Sequence, residues 1–351
     1  MKRIKTLVGF GIGIPLVSAL TLMGMEFNPP LEMKVSVHNT RPVQTLPLNK
    51  KLTLLSWNLQ FAGSRKHHFF YDGGKAVHVP EKDVRETLDQ ITNLLKKRSP
   101  DIALLQEIDR YSDRTADIDQ LEFLRGYHSG LNWVATPYHK VPYVPHPTFE
   151  PMGRVNLNLG ILSKYQLESA KRTQLALLKE PRWRQYFNLK RAILESTLPM
   201  GLGAERSNLK VAVTHLSAFS RGDGTLTEQV EQLKQWMASQ PPDQAWILAG
   251  DFNLLPPGDD PTRLGEDSQL YADSVNPIES LFKLFKEVST DPLAPKYRTY
   301  LPFNAEKPDR KIDYIFYGGP IELLTANVLT EASSISDHLP IEITFQLTTS
   351  Q

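Results

Sequence analysis

The sequence contains no cysteine, so disulfides, thiol catalysis and zinc sites built on cysteine are excluded. Any metal ion must be bound by Asp, Glu, Asn or His, and such oxygen-rich donor sets suit Mg²⁺, Mn²⁺ or Ca²⁺. The sequence also lacks an excess of charge of one sign, since 40 Lys and Arg residues balance 39 Asp and Glu residues. No global field therefore marks the chain as a nucleic-acid binder, and any capture of an anion must be local.

Internal repeats, glycine-rich nucleotide loops and paired-carboxylate glycosidase patterns are also absent from the sequence. With a hydrophobic content of 40% over 351 residues, the chain can bury a large core, which is typical of an ordinary globular protein. What the sequence does contain is a series of apolar, strand-like runs that end on polar residues.

The N-terminus has the layout of an export signal. Lys2, Arg3 and Lys5 precede an apolar run from Leu7 to Met25. Val17-Ser18-Ala19 could serve as a cleavage site, whereas the run itself is long enough to span a thin bilayer. A cleaved signal peptide and a signal anchor therefore both remain open. Either one predicts an exported protein, which is periplasmic, extracellular or anchored to the membrane and facing outside the cytoplasm.

The clearest motif is a buried strand, Trp246–Ala249, followed by Gly250, Asp251 and Asn253. The glycine begins a turn that places Asp251 and Asn253 at the carboxyl end of the strand. A carboxylate there can hold a cation or take a proton from water, and an amide can hydrogen-bond a phosphate oxygen without adding negative charge. Taken alone, the same residue types are also common in surface turns.

Other strand-like runs carry polar side chains at their ends in the same way. These polar residues are Asn58, Glu107, His215, Asp313, Asp337 and His338. Each one alone is readily explained as a solvated cap or a salt-bridge partner. Their recurrence on one strand after another instead predicts that they share a site.

Helical periodicity and loop signals organise the rest of the chain. One helix is predicted from Glu81 to a stop at Ser99, a second has a buried face between Val230 and Met237, and a third lies around residues 278–288. Residues 63–79 form a long polar loop with histidines and aromatic residues. Loops of this length are often functional, so this loop is a candidate substrate contact.

In this order the motifs resemble the endonuclease/exonuclease/phosphatase superfamily, which includes pancreatic-type DNases, abasic-site endonucleases, neutral sphingomyelinases and inositol polyphosphate 5-phosphatases. The resembling blocks are Ser56-Trp57-Asn58, Leu105-Gln106-Glu107, Gly160–Ser163, Thr214-His215-Leu216, Gly250–Asn253, Lys311–Phe316 and Ser336–Pro340. The resemblance implies a DNase I-like four-layer α/β sandwich, with two mixed β-sheets packed face to face and helices outside. The chain would then comprise a signal peptide or signal anchor at 1–26, a linker at 27–51 and a catalytic domain at 52–347.

The resemblance also implies roles for the strand-end residues. Glu107 looks like the principal metal ligand, with Asn58 and Asp337 beside it, and the implied cofactor is Mg²⁺, or else Mn²⁺ or Ca²⁺. Asp251 would orient or deprotonate the attacking water. Asn253 would hold the phosphate of the substrate.

Two histidines and one arginine complete the implied site. His215 would stabilise the charged oxygens or protonate the leaving group. His338 would be held by Asp313, a pairing that orients the imidazole and favours its cationic form. The tyrosine or arginine contact that the family makes after the Leu-Ser strand has no clear match, and Arg191 is the candidate for this contact with the substrate.

The implied activity is that of a divalent-metal-dependent phosphodiesterase acting on nucleic acid or on a phospholipid headgroup. The N-terminal segment and the aromatic loop favour lipid, whereas the basic stretch Lys164–Arg191 suits either substrate. That stretch is equally compatible with a hairpin whose charges are solvated. The alternative function is a catalytically inactive binding module on the same fold, and no protein partner can be inferred.

The export signal predicts that residues from Leu52 onward are translocated across the membrane. A reporter fused behind the folded domain should be active only outside the cytoplasm, because Lys2, Arg3 and Lys5 hold the N-terminus inside. Activity of the reporter only in the cytoplasm would contradict the prediction. N-terminal sequencing of the membrane fraction separates a cleaved signal from an anchor.

Overall fold

A computed structural model of the protein describes residues 26–40, 44–201, 207–218, 222–271 and 275–348. The predicted signal segment therefore lies outside the described residues, except for Glu26. None of the helices in the described ranges is long and apolar enough to cross a membrane.

The described ranges contain short strands and a few helices. The strands are β1 Glu32–Val35, β2 Lys51–Asn58, β3 Ile102–Asp109, β4 Asn132–Val144, β5 Gly153–Ser163, β6 Ser169–Gln174, β7 Ala192–Met200, β8 Ser207–His215, β9 Ala245–Asp251, β10 Lys286–Glu287, β11 Asp313–Gly318, β12 Ile321–Val328 and β13 Ile341–Leu347. The α-helices are α1 Glu81–Arg98, α2 Gln120–Arg125, α3 Arg182–Gln185, α4 Thr225–Ala238 and α5 Glu279–Leu284. Short 3-10 helices lie in the connections, among them Gln60–Ala62 and Phe70–Asp72.

These strands form two mixed sheets in the described part of the chain. The first sheet has seven strands in the order β1-β6-β7-β8-β9-β11-β10, and the second has six in the order β12-β13-β2-β3-β5-β4. The pairs β2–β3 and β8–β9 are parallel, and the remaining neighbours are antiparallel. The predicted α/β arrangement of two mixed sheets is confirmed.

The main core lies between the two sheets. Leu54, Leu104 and Ile161 of the second sheet and Val211 and Ile247 of the first are fully buried in one cluster. Strands that are buried on both faces read as continuous apolar runs, which is why these segments stand out in the sequence.

A second cluster covers the outer face of the first sheet. Leu233 and Met237 of α4 pack with Trp246 and Leu248 of β9 and with Phe316 of β11. The predicted buried face of this helix is confirmed. The helix therefore forms an outer layer, and the four-layer sandwich follows from apolar side chains on both faces of β9.

Three segments differ from the expectations. Residues 32–35 of the predicted linker form β1, which pairs with β6 at the edge of the first sheet, where prolines before and after the strand are tolerated. The helix expected around residues 278–288 ends at Leu284, because Phe285 is extended and β10 follows. The basic stretch Lys164–Arg191 supplies β6 and the α3-containing connection to its antiparallel neighbour β7, but its charges are not all solvated, since Arg172, Lys190 and Arg191 are buried.

Candidate active site

The strand ends that carry the predicted polar residues converge on one cleft. The cleft has a volume of about 280 Å³ and is lined by Glu107, His215, Asp251, Asn253, Asp337 and His338, among others. Asn58 and Asp313 lie directly behind this lining, each bonded to a residue that faces the cleft. The structure thus brings the predicted residues together from both sheets.

Strand register places the first group. In the first sheet His215 on β8 and Asp313 on β11 both pair with Asp251 on β9, so the three side chains form a row across the sheet. Gly250 has φ 153°, and a Cβ at this position would lie 1.9 Å from the carbonyl oxygen of Thr214. Only glycine therefore allows β8 and β9 to approach this closely at the position just before Asp251.

A β-bulge places Glu107. Gln106 and Glu107 together oppose the single residue Leu159 on β5, and Glu107 has φ 59°, in the left-handed region. The bulge turns the Glu107 side chain toward the cleft, and β3 then continues to Asp109, beyond the strand end expected from the sequence. Bulges of this kind are common next to active sites and re-aim a side chain.

Asn58 connects the two sheets. Its Nδ2 donates to Asp251 Oδ2 over 3.1 Å and lies 3.4 Å from Glu107 Oε1, and its Oδ1 accepts from the backbone N–H of Gln60 over 3.0 Å. Both predicted carboxylates thus contact one amide. The amide dipole stabilises them without adding charge.

The Ser336-Asp337-His338 turn is fixed to the end of β2. Ser336 Oγ donates to the Asn58 carbonyl oxygen over 2.9 Å and accepts from the His338 N–H over 3.1 Å. Trp57 Nε1 donates to the His338 carbonyl oxygen over 2.8 Å. These bonds hold Asp337 and His338 beside Asn58, although the two segments are far apart in the sequence.

His338 and Asp313 form the predicted pair. His338 Nδ1 donates to Asp313 Oδ2 over 2.8 Å, and its Nε2 lies 3.6 Å from Asp251 Oδ2. Burial alone would lower the pKa of His338, but the Asp313 and Asp251 carboxylates outweigh it and hold that pKa well above its usual value. His338 is therefore a buried imidazolium that is oriented by a carboxylate.

His215 has the opposite character. Its Nε2 lies 3.3 Å from Asp251 Oδ2, and its Nδ1 lies 3.1 Å from the hydroxyl oxygen of Tyr138. Burial, with Arg191 and His338 as nearby cations, lowers the pKa of His215 well below its usual value. His215 is therefore neutral, so it can donate an N–H but does not supply a positive charge.

The carboxyl groups that line the cleft have raised pKa values. Burial raises the pKa of Asp251 to about 7 and that of Asp337 to about 6, and the neighbouring Asp313 and Glu107 carboxylates add to these increases. The pKa of Glu107 is also raised, again mainly by burial. A divalent cation at Glu107, Asn58 and Asp337 would relieve this repulsion, and the oxygen donors there fit a hard ion such as Mg²⁺.

A second cluster also has metal-like geometry. One ligand atom from each of Asp251, Asp313 and His338 lies within 4.8 Å of the others. His338 Nδ1 is already bonded to Asp313, however, and the neighbouring carboxylates raise the pKa of the imidazole, so a metal in this cluster would have to displace a proton. The metal-binding role of Glu107, Asn58 and Asp337 stays a prediction, and their oxygen atoms fit a hard divalent ion.

Arg191, the candidate substrate contact, lines the cleft together with Arg114, and Tyr138 contacts His215 behind this lining. Arg114 and Tyr138 were not predicted. Tyr138 is the extra residue of a bulge in β4 between Pro137 and His139, so strand alternation gave no signal for it. Arg114 lies in a 3-10 helix after β3, in a segment for which no helices or strands were predicted from the sequence.

Comparisons with known proteins give one family match and several similar folds. A family model described as Endonuclease/Exonuclease/phosphatase family matches residues 55–338. The endonuclease/exonuclease/phosphatase from Beutenbergia cavernae DSM 12333 is 19% identical, with a TM-score of 0.59, over 86% of this chain and 72% of that chain. The human Nocturnin catalytic domain with bound sulfate is 18% identical, with a TM-score of 0.52, over 92% and 100%.

The structure of D. rerio TDP2 complexed with a single-strand DNA product is 15% identical, with a TM-score of 0.50, over 85% of this chain and 100% of that chain. At these identities, the likeness to solved structures establishes the fold alone. No curated protein matches the sequence.

The raised carboxylate pKa values predict that the metal-free protein loses stability as pH rises. Asp251 and Asp337 hold protons in the folded state that they release in the unfolded chain between about pH 4 and pH 7, so unfolding becomes easier through that window. His338 adds a loss in the same direction at higher pH, because its folded pKa is raised. His139 and His215 act in the opposite direction below about pH 6.5, because burial lowers their pKa values and the unfolded chain then binds more protons at these two sites. In EDTA the melting temperature should therefore be lower at pH 8 than at pH 5, with most of the fall above about pH 6.5.

Thermal unfolding of Asp337→Asn checks this assignment. The fall with pH should be smaller in this variant, whereas the exposed control Asp243→Asn should behave like the wild type. Mg²⁺ should raise the melting temperature more at pH 8 than at pH 5, since it competes with protons for the same oxygens. A melting temperature that rises with pH in EDTA would show that the carboxylates are not held protonated.

Proposed function

Because this chain belongs to the endonuclease/exonuclease/phosphatase family, we propose that it is a divalent-metal-dependent phosphodiesterase that cleaves its substrate by attack of water. The family includes metal-dependent phosphoesterases. The observation that supports the proposal most directly is the shared cleft, in which an acidic metal-binding set lies beside the Asp313–His338 pair.

A divalent cation held by Glu107, Asn58 and Asp337 would neutralise phosphate oxygens and make the phosphorus easier to attack. The protein's own groups supply the rest of the chemistry. Asp251 accepts hydrogen bonds from Asn58 Nδ2 over 3.1 Å and from the Asn253 N–H over 2.9 Å. These bonds leave it fixed at the cleft surface, where it orients water and accepts its proton.

The pKa of Asp251, about 7, is well matched to a general base near neutral pH. It ionises within the physiological range and binds a proton strongly enough to remove one from water. Burial therefore makes Asp251 a much stronger base than an exposed aspartate would be.

His338 is the cationic donor of the site. Its Nδ1 proton is held by Asp313, so only the Nε2 edge faces the cleft. A protonated imidazole in this position stabilises the charge that develops on phosphate oxygens and can protonate a leaving oxygen. Asn253 donates through Nδ2 to the Leu216 carbonyl oxygen over 3.1 Å, which fixes its amide beside the same region.

The substrate is proposed to be nucleic acid or a phospholipid headgroup. The TDP2 structure with the same fold carries a single-strand DNA product, which supports nucleic acid. The loop at residues 63–79 contributes Phe69 and Tyr71 to the cleft wall, and aromatic side chains suit either a base or a headgroup. We further propose that the N-terminal segment exports the catalytic domain, with or without membrane attachment.

The proposed function is tested with the purified protein against single-stranded DNA, RNA and sphingomyelin in parallel. Hydrolysis should vanish in EDTA and return with Mg²⁺ or Mn²⁺. Glu107→Gln should lower kcat/KM by about 100-fold or more, because it removes a ligand charge, and should leave the melting temperature in EDTA nearly unchanged or higher.

The matched control is Glu279→Gln, which makes the same chemical change at a half-exposed side chain on α5. It should retain the activity of the wild type. Full activity in chelator would rule out a metal-dependent hydrolase, and binding of these substrates without hydrolysis under any metal condition would favour the inactive binding module.

The Asp313–His338 contact generates a separate prediction. Asp313→Asn should lose most of the activity that His338→Ala loses, because the imidazole is then less basic and less well oriented. The double variant should be little worse than the worse single variant, since residues that act as a unit are not additive. Measurements of kcat/KM and melting temperature decide the matter, and fully multiplicative losses in activity would show that the two residues act independently.

A further inference from the structure

Arg191 differs from the other buried arginines in the described part of the chain. Arg114 binds Asp109 through two nitrogens at 2.7 and 3.1 Å, Arg310 binds Asp309 and Asp267, and Arg172 donates to Lys190 and Gln174. Arg191 is only 8% exposed, yet within the described residues its guanidinium has no hydrogen bond and no ion pair. Its Nη1 is buried without any partner; Nη1 of Arg172 is too, but Arg172 donates through its other nitrogens, whereas Arg191 donates to none of the described residues.

An unpaired charge in such a position is costly. Taking a guanidinium out of water without an acceptor is strongly unfavourable, so natural proteins pair nearly all buried charges. Burial also lowers the pKa of Arg191, which shows the same cost. A binding site accounts for the exception, because a ligand that carries negative charge would complete the missing interactions.

The surroundings of Arg191 hold its guanidinium in place within the cleft. Its terminal carbon lies 5.3 Å from the centre of the Tyr138 ring, which is fully buried. Leu157 and Leu189 also line the cleft. The carboxylates of Glu107 and Asp251 are near enough to act on the charge of Arg191, but neither forms an ion pair with it. Stacking on an aromatic ring fixes the plane of a guanidinium and leaves its N–H edge available.

Arg114 adds a second positive group to this wall. Its Nε and Nη2 are bonded to Asp109, which leaves Nη1 outside the pair, and its side chain lines the cleft together with Arg191. The scissile phosphate already has partners in His338, Asn253 and the metal-binding set. Asp109 already offsets the charge of Arg114, so Arg114 contributes an N–H donor and Arg191 contributes the additional positive charge. Together they exceed what one phosphodiester, with its single negative charge, requires.

We propose that Arg191 and Arg114 form a binding site for a second phosphate of the substrate, next to the phosphate that is cleaved. This inference rests on the proposed phosphodiesterase function and narrows its substrate class. A strand of nucleic acid or a small polyphosphorylated compound carries such a second phosphate, whereas a choline headgroup places a positive charge beside the scissile phosphate. The site thus favours polyanionic substrates over sphingomyelin.

The test compares two substrates that differ only in the second phosphate. They are the p-nitrophenyl ester of thymidine 5′-phosphate and the same ester with an added 3′-phosphate, assayed with the full chain and Mg²⁺. The wild type should prefer the doubly phosphorylated ester in kcat/KM by about 10- to 100-fold, which is what charge-assisted bonds provide. Arg191→Gln should reduce this preference to within about threefold, and Arg191→Lys should keep part of it.

The matched control is Arg184→Gln, which removes an exposed arginine of the same basic stretch. It should keep the full preference. Arg191→Gln should also melt at the same or a higher temperature than the wild type, since it removes an unpaired buried charge. A large loss of stability would instead indicate a structural role for Arg191 and would overturn the proposal.

Equal kcat/KM for the two esters, or an equal loss on both in Arg191→Gln, would place Arg191 on the cleaved phosphate and overturn the second site. Preferred hydrolysis of sphingomyelin would overturn it as well. A third ester, with both phosphates on a deoxyribose that lacks the base, separates the two sources: loss of the base lowers kcat/KM only for a nucleotide substrate.

A binding measurement separates this inference from the proposed function. Calorimetry in EDTA compares thymidine 3′,5′-bisphosphate with thymidine 5′-monophosphate, and the bisphosphate should bind more tightly unless Arg191 is changed to Gln. If this holds but neither ester is hydrolysed, the proposed activity is wrong and the anion site stands. If both esters are hydrolysed with metal but the bisphosphate binds no more tightly, the proposed activity stands and the second phosphate site is wrong.

Discussion

The register of the first sheet is the constraint on which the site depends. Backbone hydrogen bonds between β8, β9 and β11 place His215, Asp251 and Asp313 in one row, and a shift by one residue would turn all three away from the cleft. The close approach of the Gly250 backbone to Thr214 is possible in this register only because position 250 has no side chain. Since the second sheet packs its apolar face against the first, Asn58 and Glu107 reach the same row from the other side.

Burial then gives these ordinary side chains different chemical states. Two histidines lie within contact of the same aspartate, yet His338 is held protonated by Asp313 while His215 is kept neutral among cations and the Tyr138 hydroxyl. The raised pKa of Asp251 follows from the same desolvation. Environments that separate the pKa values of neighbouring groups are how one site can hold both an acid and a base at neutral pH.

Charges of both signs in the cleft lack a partner of opposite sign. Glu107 and Asp337 repel one another without a cation between them, and Arg191 lacks an anion. Both deficits lie in the same cleft, so they fit a substrate phosphate together with a divalent ion better than they fit a purely structural role. The folded protein carries this cost at the site, while the core between its sheets supplies the stability that permits it.

The sequence by itself determined the residue types of the site, their order along the strands and the α/β class, because apolar runs and strand-end polar groups are local patterns. It also carried the Asp313–His338 pairing through the resemblance of their motifs. Only the tertiary structure decided which side chains meet. The bulges that aim Glu107 and position Tyr138, the missing partner of Arg191 and the neutral state of His215 all arise from contacts between distant segments, and periodicity along a chain does not encode them.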